Sequence, residues 1–150
     1  MKKLIALLFV LSSTIGLQAQ EVELNKKDEV QLDGKTILKY KKINARQYSF
    51  YSLEGDEILY YKLDDNETHQ YIEDDFFILN FLTAKKKVET KNRSLVASGL
   101  GMNSAKNMAK LIKALLDEKV LDADGKLNLD KLDTFYEKYH ENITARTVRY

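Results

Sequence analysis

Residues 46–63 read Arg-Gln-Tyr-Ser-Phe-Tyr-Ser-Leu-Glu-Gly-Asp-Glu-Ile-Leu-Tyr-Tyr-Lys-Leu. Two aromatic, apolar runs flank Glu54-Gly55-Asp56, a short polar segment suited to a tight turn. In the first run Tyr48 and Phe50 fall on one face of an extended chain, and Tyr51 and Leu53 on the other. The second run, Ile58 to Leu63, carries the same texture and ends at Asp64-Asp65-Asn66. A loop this short joins only antiparallel neighbours, because a parallel crossover needs about a dozen residues or more. The stretch is therefore a hairpin, and it sets the pattern for the first half of the chain.

Extending outward, Val30 and Leu32 alternate with polar neighbours, and Asp33-Gly34 is a hairpin signal leading into Lys35–Ile43. Further strands are expected at Glu67–Ile72 and Phe76–Leu82, with shorter ones at Lys86–Thr90 and Ser94–Ala97. From Ser104 onward the apolar spacing changes to that of a helix. Met108, Leu111, Ile112, Leu115 and Leu116 form one stripe, with Asn103 or Ser104 as cap. Asp122-Ala123-Asp124-Gly125 breaks it. Leu129, Leu132, Phe135, Tyr136, Tyr139 and Ile143 form a second stripe behind Asn128. Helices of this length are unstable alone in water, so each must lay its stripe on the sheet or on its partner. The expected class is α+β, an antiparallel β-meander of about five to seven strands followed by two C-terminal helices.

The N-terminus reads differently. Lys2 and Lys3 precede an unbroken apolar run from Leu4 to Leu11, then Ser12, Ser13, Thr14, Gly16 and Ala19. That order matches a bacterial secretory signal peptide at 1–19. The run falls well short of the roughly 20 apolar residues that span a bilayer. What remains, 20–150, is expected to be a single α+β domain, strand-rich over 22–97 and helical over 103–143. The expected location is the periplasm or the exterior, with no membrane span once the leader is removed.

The chain holds 24 basic and 23 acidic residues and no cysteine or proline, so disulfides and thiolate chemistry are excluded. Loss of Lys2 and Lys3 would move the net charge from +1 to −1. That balance argues against nucleic acid as partner.

Three groups of residues are candidate sites. The acidic turn Asp122, Asp124 and Asn128 matches positions three, five and nine of an EF-hand loop counted back from Gly125. Val120 and Lys131 occupy the outer anchor positions, where calcium needs carboxylates, so the residues read first as a tight interhelical turn and only alternatively as a degenerate calcium-binding turn, 122–128, of a structural envelope protein. His69 lies among Asp64, Asp65, Glu67, Glu73, Asp74 and Asp75, and on a strand Glu67 would share its face. That pair is the candidate for acid–base chemistry in a small envelope hydrolase, although no metal-ligand spacing or nucleophile elbow accompanies it. His140, near a helix end, suits the negative pole of the helix. Glycines in Ser98-Gly99-Leu100-Gly101 suit a flexible connection and lack the pattern of a phosphate loop. Finally, Tyr48, Tyr60 and Tyr71 are candidate contact residues on an outward sheet face, because tyrosine offers a flat apolar ring with a polar tip. The expected function is a non-catalytic binding or interaction module of the cell envelope, needing no cofactor, with an unidentified protein or envelope ligand as partner.

Overall fold

The computed structural model describes residues 19–67, 71–96 and 103–146. Seven strands follow one another among the described residues: β1 (Val22–Leu24), β2 (Glu29–Leu32), β3 (Lys35–Asn44), β4 (Gln47–Tyr51), β5 (Glu57–Asp64), β6 (Phe76–Phe81) and β7 (Lys86–Thr90). They form one sheet in chain order, with every neighbouring pair antiparallel. Helices α1 (Ser104–Asp117), α2 (Leu129–Tyr139) and the single turn α3 (Ile143–Arg146) complete it. The α+β meander read from the sequence is the fold.

The hairpin 46–63 forms as its pattern requires. Tyr48 pairs with Tyr61 and Phe50 with Leu59, and from Tyr61 the row continues in register to Leu79 on β6 and Val88 on β7. All of these are buried, and they share one core with Met108, Leu111, Ile112 and Leu115 of α1 and Leu132 and Phe135 of α2. Burying a leucine there stabilises the fold by about 2 kcal/mol. The side chains of Asn103 and Asn128 cap the two helices, accepting from the backbone N–H of Lys106 and Lys131.

Helices guard both free edges of the sheet: α1 lies along β1, and α2 and α3 lie along β7. At β7 the pairing is completed by His140 and Glu141. Glu89 N–H donates to His140 Nδ1 at 3.1 Å, Lys91 N–H donates to the Glu141 carboxylate at 3.0 Å, and Glu141 N–H donates to the Glu89 carbonyl at 2.7 Å. An edge strand is thereby closed to further pairing at these groups.

Three details differ from the sequence reading. Glu67 stands in a turn at φ 61°, and Ile72–Asp74 is a 3₁₀ turn, so no strand spans the described part of 67–72. Arg93–Leu95 is likewise a 3₁₀ turn, because the Asn92 side chain accepts from Ser94 N–H and Ser94 Oγ and draws the chain round. The second helical stripe stops short of Ile143: His140 is extended at ψ 127°, so α2 ends at Tyr139 and Ile143 begins the separate turn α3.

Candidate functional site

The tyrosines separate. Tyr48 is 1% exposed: its ring stacks on Phe50 at 6.3 Å, and its hydroxyl shares a 2.8 Å hydrogen bond with Ser104 at the start of α1. It is not a surface contact. The reason is parity, since Tyr48 shares the face of Phe50 and the helices cover that face. Tyr60, one position out of phase with Tyr61, lies on the opposite face between Ser49 and Asn80 and is half-buried. Tyr71 is 65% exposed beside the 3₁₀ turn and belongs to no strand.

His69 lies outside the described residues. Glu67 is exposed, and its backbone N–H donates to Asp65 Oδ1 at 3.2 Å. Two neighbouring carboxylates have basic partners: Asp65 pairs with Arg46 at 2.9 Å and Asp64 with Lys62 at 2.7 Å. Among the described residues no three His, Asp or Glu side chains converge as a metal ion would require.

The acidic interhelical turn has a mechanical account. Asp122 Oδ1 accepts from the N–H groups of Asp124 and Lys126 at 2.8 and 2.9 Å, while Asp124 pairs with Lys35 at 2.6 Å. That lysine holds the Asp124 carboxyl below its ordinary range. Asn128 is engaged as the cap of α2. The side-chain oxygens of Asp122, Asp124 and Asn128, which would have to converge on calcium, thus each face a different partner set. Gly125 sits at φ +77°, and a Cβ there would lie 2.3 Å from the carbonyl oxygen of Ile37. Only glycine lets the turn lie directly on β3.

This contact builds one wall of a cleft. The opposite wall is the β4–β5 turn, held by Ser52 N–H on the Asp56 carbonyl at 2.8 Å and by Asp56 N–H on Ser52 Oγ at 3.1 Å. Between them lies a space of about 210 Å³ with Ile37, Ile58 and Leu127 as apolar lining and Ser52, Glu54, Asp56 and Lys126 around it. The β6–β7 turn closes a third side with Thr83 and is tied in by Leu82 N–H donating to the Ile58 carbonyl at 3.2 Å.

Of the five large hydrophobic side chains exposed among the described residues, Leu53 lines this cleft. An isolated exposed leucine needs no explanation, but one on the wall of an apolar-lined cleft marks a candidate interaction surface. In the sequence Leu53 reads only as the last outward residue of the run 46–53, and nothing local shows that three distant turns converge on it.

No helix among the described residues is long and apolar enough to cross a membrane. The chain has no match among protein-family models, curated proteins or solved structures.

Proposed function

We propose that this chain is an exported, non-catalytic binding module of the cell envelope, and that its contact region is the cleft between the β4–β5, β6–β7 and α1–α2 turns. The observation that supports the reading is a hollow lined by Ile37, Ile58 and Leu127 with the exposed Leu53 on its wall. A concave, apolar-lined site with a few polar groups around it is where binding is expected. The leader at 1–19 supports export, and the envelope follows from it as the place where the partner is met.

Two measurements test this. Intact mass of the protein recovered from fractionated host cells is expected to show an N-terminus near Gln20, in the envelope or medium fraction. In mature protein labelled at methyl groups and aromatic rings, a soluble envelope fraction is expected to shift or broaden the Leu53 and Leu127 methyl signals. Leu53→Ser should weaken the response. Shifts confined to the Tyr60 ring would instead move the contact region to the outer sheet face. No response at either place would refute the reading.

A further inference from the structure

The cleft also carries information about what fills it. We infer that it receives one leucine-sized apolar side chain from a basic segment of a protein partner. This inference rests on the cleft being the contact region. Size is the first ground: at about 210 Å³ the space is smaller than the roughly 300–1,000 Å³ of a site that encloses a whole small molecule. It suits a single anchoring side chain, the kind of buried contact on which protein interfaces concentrate their affinity.

Charge is the second ground. Glu54 and Asp56 stand exposed on the β4–β5 wall, and neither side chain has a hydrogen bond or ion pair among the described residues. On the facing wall Asp124 is already engaged by Lys35, and Lys126 lies beside it. The β4–β5 wall therefore presents two uncompensated negative charges next to an apolar floor. A lysine or arginine flanking the anchor residue would complement them. A second copy of this chain fits poorly, because a two-fold contact centred on the cleft would set Glu54 and Asp56 against their own equivalents.

Blocked tripeptides of sequence Lys-Leu-Lys, Glu-Leu-Glu and Lys-Gly-Lys test both grounds, with the Leu53 and Leu127 methyl signals of the mature chain as readout. Lys-Leu-Lys is expected to bind in the millimolar range, about fivefold tighter than Glu-Leu-Glu, as two exposed ion pairs would give. Lys-Gly-Lys should leave the methyls unmoved. The double variant Glu54→Lys, Asp56→Lys, whose turn is made by Ser52 and backbone groups, is expected to keep a native spectrum and to prefer Glu-Leu-Glu. Equal binding of the two leucine peptides overturns the basic partner while leaving the cleft as a contact region. A preference for Glu-Leu-Glu by the unmodified chain, or no methyl shift with Lys-Leu-Lys, overturns the inference. Methyl shifts produced by raising the protein concentration alone also overturn it, in favour of self-association. The envelope-fraction experiment is read separately, so the broader reading stands or falls on its own result.

Discussion

Glu89 and Glu54 are both glutamates of the strand-rich half, and their surroundings differ in nearly every respect. Glu89, on the edge strand β7, is 1% exposed. Its carboxylate pairs with Lys87 at 2.7 Å and accepts from the backbone N–H and the hydroxyl of Thr144, the first at 2.9 Å. Its own N–H and carbonyl are taken by His140 and Glu141. Glu54 sits on a turn in solvent with a side chain bonded to nothing described. A buried charge persists only when its partners offset the desolvation it has suffered, so Glu89 belongs to the fold. An exposed, unpartnered charge beside the exposed Leu53 contributes nothing to the fold. The two ends of the molecule thus separate charge used for assembly from charge left available for encounter.

Breaking the first of these produces the largest effect. Glu89→Ala strands the two Thr144 donors and detaches α3 from β7, and is expected to cost about 3 kcal/mol in urea unfolding. Acid titration sharpens the same point. Burial alone would raise the Glu89 carboxyl, but the hydrogen bonds from Lys87 and Thr144 outweigh it and bring it from 4.5 down to about 2. A carboxyl depressed on folding adds stability that is complete above its unfolded value and disappears as pH falls through its folded one. Unfolding free energy should therefore decline between about pH 5 and pH 2, with roughly 3 kcal/mol of the decline missing from Glu89→Ala. An identical pH profile in the variant would show that the Thr144 and Lys87 contacts do not hold that charge.

Gly125→Ala reaches the turn end through its scaffold. The added methyl meets the Ile37 carbonyl and occupies a left-handed backbone position, so the α1–α2 turn must lift from β3. About 2 kcal/mol of stability should be lost, with the Leu127 methyl signal displaced. Tripeptide binding should weaken as well, because a wall of the cleft has moved. Stability unchanged within a few tenths of a kcal/mol would mean that the turn is not seated on the strand as described.

Tyr48 shows how much of this was legible in the residues. The hairpin 46–63 declares its two faces, and the stripe Met108–Leu115 declares that a helix covers one of them. Phe50 and Tyr48 share parity, but Tyr51 and Leu53 make the other face apolar as well, so the residues alone do not say which face the helix covers or that the Tyr48 hydroxyl is internal and satisfied. Ser104, which satisfies it, lies 56 residues away, and no local pattern announces that meeting. The same limit hid Glu89: its acidic neighbours in sequence are few, and its partners Thr144 and His140 come from the far end of the chain. Periodicity reports faces, whereas the clasp at β7 and the cleft at the turns arise from register between distant segments. Tyr48→Phe tests the internal placement. Loss of one buried hydrogen bond should cost about 1 kcal/mol and leave the tripeptide affinities unaltered. A larger response in binding than in stability would return Tyr48 to the contact surface.

The smallest stability effect belongs to the residues most expected to matter for binding. Glu54→Gln with Asp56→Asn removes two charges that touch no described partner, so the unfolding midpoint should stay within about 0.5 kcal/mol of the parent. Because the Ser52 hydroxyl and the backbone hold the β4–β5 turn, its amide signals should also stay in place. Yet the preference for Lys-Leu-Lys over Glu-Leu-Glu should vanish, since the apolar lining of Ile37, Ile58 and Leu127 is indifferent to charge and remains intact. Glu89→Ala should do the reverse, lowering stability while leaving that preference unchanged in whatever fraction stays folded. If Glu54→Gln with Asp56→Asn instead destabilised the chain by as much as Glu89→Ala, the turn-end carboxylates would be structural after all. The division between the β7 edge and the cleft would then be lost.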